Sequence, residues 1–519
     1  MTTVNSNIAA KYALNNLNKT DRELTSAMER LSSGKRINHA GDDAAGAAIS
    51  DRMTSQIKGL EQSARNAADV ISMAQVTEGA LDETSDILQR IRMLAIQSAT
   101  DSYNAEERSY LNAEVQQLLA EHDRVTRDTT FNEIAVLDGT FADRRFQIGS
   151  KEREAATISV GNLRTEAIGN HLVRTTAATG ATVSATAVTL GTADTFADED
   201  FTIHGLLGSK TIDVVAGTSA KDIAEAVNIQ FDQTGVSATA STNMKIQAKG
   251  TAGSATLSIG LKGKNSTVRT VSAGITLAAA VGGSDLTGLS NAINAYSAET
   301  GIVATLKSDK TTIYLTQDEG HDIALTDLDF ADTTDDSRDL QVTGMDARLF
   351  NASGDELLSG TAKTMTDTSH ASGAGKDAIV GGQIMMHGSH SFTVTTTNLN
   401  GDIFQSSPGA ATLNKVSELS LRTRSKAIDA LKVVDKALDK VHMERAKLGA
   451  VMSRMHQAID NLTNVSANTA SARSRIVDAD MAAESAELAK SQVLQQSAMA
   501  MIAQASRAQQ SILTLLQGM

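Results

Sequence analysis

A seven-residue apolar repeat governs what this chain can fold into. From Met53 it runs through Leu60, Ala67, Ala74, Leu81, Leu88 and Ala95, with Ile57, Ala64 and Ile71 completing a four-three stripe over the first half. Far along the chain Ala427, Leu431, Val434, Leu438, Val441, Leu448, Met452, Met455, Ile459 and Leu462 keep the same spacing, interrupted only by Arg445. A repeat of about 3.5 residues holds one narrow seam of a helix towards a partner helix, so both segments read as long helices of a bundle. Leu111, Val115, Leu118 and Val125 mark a shorter helix. A single proline, Pro408, serves all 519 residues, which suits helices without internal breaks.

The extreme ends carry seams of a different kind. Val4, Ile8, Leu14, Leu17, Leu24, Met28 and Leu31 form one stripe, and Leu494, Ala498, Met501, Ala505, Ala508, Ile512 and Leu515 form the other. Isolated helices of roughly 20–30 residues are marginal in water. Burying one such Ala-rich seam only against the other leaves much of it wet. Both ends are therefore expected to be self-assembly seams that order fully on meeting copies or partners.

Between about 172 and 411 the text turns to Thr, Ala, Gly, Ser and Val, with alternating runs such as ATVSATAVTL and HSFTVTTTN. That composition predicts strands with frequent turns. KDIAEAVNIQFDQTGVSATAS aligns with TGLSNAINAYSAETGIVATLK at an offset of 66, matching Ile223 with Leu289, Asn228 with Asn294 and Gly235 with Gly301. Each copy reads as a short helix leading through Thr-Gly into a strand, so two related modules are expected at about 205–262 and 270–330. RRFQIGS and ATISVGN predict a β-hairpin near 144–162. The fold class is thus multidomain α plus β, with long coiled-coil-like helices from both chain ends and β-rich, α+β insert domains in the middle.

The segment LSSGKRINHAGDDAAGAAIS, residues 31–50, carries the glycines, basic residues, histidine and paired acids of an enzyme loop. Gly41 and Gly46 have the separation of a phosphate loop, but Ala47 and Ala48 stand where the lysine and hydroxyl would act. For a metal at His39, Asp42 and Asp43 the adjacent carboxylates converge poorly and no fourth ligand is near in sequence, which favours a capped turn in which both acids serve the next helix. His387-Gly-Ser-His390 reads as a solvated loop, and the acidic stretch 327–339 lacks the Gly and Glu of a calcium loop. No H-E-x-x-H or G-x-S-x-G occurs, and zero Cys excludes disulfides and thiol chemistry. Neither a metal nor a cofactor is expected. The net charge of −14 argues against nucleic acid or an anionic membrane as partner. The first twenty residues lack the pattern of a cleaved signal peptide.

NNLNKTDRELTSAMERLSSGKRIN (15–38) and DDAAGAAISDRMTSQIKGLEQSARNAADVISMAQVTEGAL (42–81) closely resemble the N-terminal region of bacterial flagellins. LQRIRMLAIQSA and DRVTRDTTFNEIAVLDG continue the likeness, and SARSRIVDADMAAESAELAKSQVLQQSAMAMIAQA (471–505) with SILTLLQGM is similar to the family's C-terminus. The resemblance covers roughly 1–165 and 420–519. It implies the non-enzymatic subunit of the flagellar filament, secreted through the flagellar export apparatus with a chaperone and polymerised outside the cell. Filament cap and hook-junction proteins are the further partners implied. On this likeness residues 1–33 and 480–519 form the inner core, and 34–46 with 468–479 the spoke, including Gly34, Arg36, Asn38, Asp42 and Asp43. Residues 47–171 and 412–467 form the helical bundle, and 172–411 the outer domains. A surface for a Toll-like innate receptor maps onto Gln89, Arg90, Leu94, Gln97 and Glu114, with Met93 where the family often has Glu. Ala508 stands where many relatives have Pro, which should lengthen the last helix. A hook–filament junction adaptor and an enzyme module within 172–411 are the alternatives.

Overall fold

The structure is a computed structural model; it describes residues 8–175, 182–184, 200–215, 218–330, 338–350, 356–358, 362–366, 377–396 and 409–517. Nine α-helices occur among the described residues: α1 Ile8–Ser33, α2 Ala44–Ala99, α3 Ala105–Asp128, α4 Ala220–Ile229, α5 Phe231–Thr234, α6 Thr287–Ala295, α7 Ser297–Thr300, α8 Arg424–Val477 and α9 Met481–Gln517. The chain divides into two compact units. One comprises Met1–Gln75, Ala142–Ser159 and Leu448–Met519; the other comprises Val76–Phe141 and Val160–Lys447.

In the first unit α1 and α9 lie side by side and antiparallel, as the pairs Arg30–Glu484 (3.3 Å) and Asp21–Gln495 (2.7 Å) require. The hairpin of this unit pairs Arg144–Gln147 with Ala155–Ile158. The Asn66 carboxamide of α2 donates to the Gln147 carbonyl at 2.8 Å, tying hairpin to helix. α9 continues through position 508 without a break, since alanine there keeps the backbone hydrogen bond that proline would remove. α8 is helical to Val477 rather than stopping near 467, so little of the expected 468–479 linker is irregular.

In the second unit the seven-residue stripe is core. Leu81, Leu88, Ile91 and Ala95 of α2 are buried, as are Val115 and Leu119 of α3 and Ala427, Val434 and Val441 of α8. Buried polar links fix the register. The Ser98 hydroxyl donates to the Leu421 carbonyl (2.7 Å), and Asn112 accepts from the Leu421 amide (2.8 Å). α3 starts on a capping box in which Asn104 and Glu107 satisfy each other's backbone amides.

The two insert copies repeat bond for bond. Asn228 donates to the Ala238 carbonyl (2.9 Å) and accepts from its amide (2.8 Å), and Asn294 does the same with Ala304 at 2.8 Å each way. Gly235 and Gly301 both sit at positive φ, +73° and +71°, closing α5 and α7 before a strand begins. Thr234 and Thr300 each return a hydroxyl to the preceding turn, at 3.0 Å. An antiparallel hairpin precedes the helix in both copies: Phe201–His204 with Ser209–Ile212, and Gly253–Lys262 with Arg269–Leu277.

One long strand, Val236–Lys249, serves both cores. Val236, Ala238 and Ala240 join Ile223 and Val227 of α4, whereas Met244, Ile246 and Ala248 join Leu289 and Ile293 of α6. The sheet around it runs Ile302–Leu306, Thr312–Gln317, Val236–Lys249, Gln383–Gly388, Gly169–Arg174 and Thr412–Lys415, each antiparallel to its neighbour. Residues 331–337 of the acidic stretch, and Pro408, lie outside the described residues.

Candidate assembly site

The α1–α9 contact is a coiled-coil seam in a phase that mixes expected and unexpected residues. On α1 the covered positions are Ala13, Leu17, Thr20, Leu24, Ala27 and Leu31, at alternating steps of four and three. On α9 they are Glu484, Leu488, Ser491, Gln495, Ala498, Ile502 and Ala505, at the same steps. Such stepping keeps each helix's stripe on its partner. Leu17, Leu24, Leu31, Ala498 and Ala505 therefore lie in the seam. Leu14, Met28, Leu494 and Met501 do not; all four are exposed, each one position from a seam residue. The side chains of Ala508, Ile512 and Leu515 lie outside the described residues. The seam is lean in large apolar groups, with Thr20 and Ser491 buried at its heart.

The joint between α1 and α2 is built by its polar groups. Gly34 takes φ +70° and its amide returns to the Arg30 carbonyl at 2.8 Å, which ends α1 as only glycine does cheaply. The chain then pairs with the other joint. The Arg36 amide donates to Val477 O (2.6 Å), the Ala479 amide donates to Gly34 O (3.0 Å), and Lys35 bridges antiparallel to Asp478. The Arg36 guanidinium adds a bond to Ile476 O (2.7 Å). Arg36 thus satisfies two of the carbonyls that α8 leaves orphaned at its C-terminus.

The two acids divide the work expected of both. Asp43 caps α2 through the Gly46 amide (2.8 Å). Asp42 instead folds the loop before it, accepting from the amides of Asn38 and His39, each at 3.0 Å. Those amides, His39 first, hold the Asp42 carboxyl below the ordinary carboxylate range. The Asn38 carboxamide donates to Lys35 O (3.3 Å), and His39 stands between Glu29 (3.3 Å) and Asp42 (3.8 Å). A Cβ on Gly46 would lie 2.7 Å from the Ile37 side chain, so this glycine serves close packing rather than bending. At the far side Asp480 caps α9 through the amides of Ala482 and Ala483.

Of the residues mapped by resemblance to a receptor surface, Arg90 holds Glu114 across α2 and α3 with bonds of 2.9 and 2.6 Å to one carboxylate oxygen. Gln97 donates to the Tyr103 hydroxyl (2.9 Å), and Gln89 reaches Ser85 (3.4 Å). Leu94 is only 2% exposed and belongs to the core, while Met93 beside it is exposed.

The segment His387–His390 is not a solvated loop. His387 closes a buried strand, bonded to Asn170 (2.8 Å) and Thr239 (3.1 Å), and burial pushes it down to about 3. No group of three or more His, Cys, Asp or Glu poised for a metal ion occurs among the described residues. Nor is any described helix long and apolar enough to cross a membrane.

Sequence reading missed the phase of the terminal seam, Arg36 as a cap for α8, and the buried histidines. Only the first left a signal: the unbroken four-three series from Ala13 to Leu31 includes Thr20 and Ala27, which a search for large apolar residues passes over.

Comparison with known proteins places these features in a family. Residues 4–142 match the bacterial flagellin N-terminal helical region, 431–516 the bacterial flagellin C-terminal helical region, and 200–252 the flagellin hook IN motif. The B-type flagellin of Pseudomonas aeruginosa is 36% identical over 514 residues, covering 99% of both chains. A flagellin of Salmonella typhimurium is 32% identical over 539 residues, again covering 99% of each. Among solved structures, FliC from Burkholderia pseudomallei covers 74% of this chain and 99% of its own at 15% identity and TM-score 0.30. The flagellar hook associated protein-3 of Legionella pneumophila covers 82% and 98% at 11% identity and TM-score 0.34. End-to-end likeness to curated relatives decides the matter: this chain belongs to the bacterial flagellins, the subunits of the flagellar filament.

Proposed function

We propose that the chain polymerises through the large apolar side chains that its terminal helices leave exposed. The observation that carries this is the exposure of large apolar groups beside a covered seam: one stripe of α1 and α9 is covered by the partner helix, while Leu14, Met28, Leu494 and Met501 remain open to water. Apolar side chains in that arrangement gain roughly 1.5–3 kcal/mol each on full burial. Contacts between unlike faces of successive copies give an open helical array when the rotation between copies does not close a ring. In this reading Leu17, Leu24, Leu31, Ala498 and Ala505 order the pair. Gly34, Arg36, Asn38, Asp42 and Asp43 form the spoke between an inner core (1–33, 480–519) and the bundle (47–171, 412–467), with 172–411 outermost.

The same reading has the subunit leave the cell unfolded through the flagellar export apparatus, guarded by a chaperone, and add to an extracellular filament beneath its cap and beyond the hook-junction proteins. The role is structural, without catalysis. Gln89, Arg90, Gln97 and Glu114 supply the surface offered to a Toll-like receptor; Leu94 shapes it from beneath.

Deleting 480–519 tests the assembly reading. The truncated chain should stay monomeric when seeded with short filaments, as seen by negative-stain microscopy. Filaments of normal length from that truncation would refute it.

A further inference from the structure

The exposed methionines of this chain are not scattered. Among the described residues five are exposed, and four of them belong to the terminal helices: Met28 (49%), Met481 (51%), Met499 (53%) and Met501 (65%). The fifth, Met93, is on α2. Met73, Met244, Met365, Met386 and Met455 are buried in the two units. Thioether oxidation needs access, and it converts an apolar, flexible side chain into a polar one carrying a strong acceptor oxygen.

We propose that Met28, Met481, Met499 and Met501 are oxidation sites that make polymerisation sensitive to peroxides. The proposal rests on the assembly reading above, because it is assembly that would bury these side chains. The step is a two-electron transfer. The methionine sulfur attacks one oxygen of hydrogen peroxide, the O–O bond breaks, an S–O bond forms, and the remaining oxygen leaves as water with both protons. Sulfur is oxidised and the peroxide reduced. A dithiol reductase reverses the change by removing that oxygen as water and taking the disulfide in exchange. A sulfoxide at Met28 or Met501 brings an oxygen without a donor into an apolar contact, which disfavours burial. A subunit is therefore vulnerable before it is built in and sheltered afterwards.

The test treats full-length monomer and finished filaments separately with hydrogen peroxide, maps sulfoxides by peptide mass spectrometry, removes the peroxide with catalase, and follows elongation of untreated seeds. Treated monomer should carry sulfoxides at the four positions, and its critical concentration should rise about tenfold or more. Peptides from treated filaments should remain unoxidised at those positions. In a variant with M28L, M481L, M499L and M501L, the rate at which seeds elongate, first measured without peroxide, should be the same after peroxide treatment, whatever its value relative to the parent. M93L alone should stay as sensitive as the parent. Normal elongation by monomer shown to be oxidised at all four positions would overturn the inference and leave the assembly reading intact. Equal oxidation of monomer and filament would overturn the sheltering. Failure of untreated monomer to elongate seeds would overturn the assembly reading, and this inference with it.

Discussion

His122 offers a quantitative test of how the bundle of the second unit responds to acid. The residue sits on α3 and is fully buried, and neither ring nitrogen has a hydrogen-bond partner. Burial pushes it from 6.5 down to about 4, against a small opposing pull from Asp123. The native state therefore holds a neutral imidazole that the unfolded chain protonates as soon as pH falls below about 6.5. Stability from this residue is complete above that value, is lost progressively as pH falls towards 4, and does not change further below it. At about 1.4 kcal/mol for each pH unit between the two values, the whole loss is about 3 kcal/mol, and most of it is gone by pH 4.5. Replacing His122 with Leu removes both the titration and two unpaired buried nitrogens. The variant should be more stable at pH 7 by about 1–3 kcal/mol, and the gap should widen by about 2–3 kcal/mol at pH 4.5. Amide exchange within α3, measured at both pH values, reads this locally. A gap that stays constant between pH 7 and 4.5 would refute the argument. His387 and His171 are also pushed down by burial, so the parent chain loses further stability in acid that this substitution does not restore.

Two further substitutions probe the repeat and the joint. Asn228→Ala leaves the amide and carbonyl of Ala238 without their partner, and should destabilise the insert by about 2–4 kcal/mol in urea titrations; Asn294→Ala should cost about the same, because its two bonds are the same. Gly34→Val forces a β-branched residue to φ +70°, at about 1–3 kcal/mol, and should lower amide protection in the last turn of α1 and weaken seeded elongation.

Much of the architecture was legible because it is periodic. The stripes through Leu81 and Leu88 and through Val434 and Val441 are core, and the 66-residue repeat returns as matching side-chain bonds. Periodicity failed at the chain ends for a physical reason. α1 carries Leu14 beside Ala13, and Met28 beside Ala27, so a search by side-chain size picks the exposed neighbour of the seam residue. The polar pairs settle the phase, since Asp21 with Gln495 and Arg30 with Glu484 fix the facing sides. His387 was misplaced because its Gly-Ser neighbours imitate a loop, whereas its strand partners lie more than a hundred residues away in sequence. Asp42 and Asp43 look alike in sequence and act differently, because only Asp43 stands immediately before the first residue of α2.

The paired joint at Gly34–Arg36 and Val477–Ala479 bears on how torsion passes along this protein. A lone linker between two helices is a swivel, because rotation about its single bonds meets little resistance. Here two antiparallel chain segments cross together and are bonded to each other at Arg36–Val477 and Gly34–Ala479, so twisting one drags the other. Such a two-railed link bends about one axis and stiffens about the other two. For a subunit of a filament that turns in viscous fluid, the joint would transmit torque while still permitting flexure.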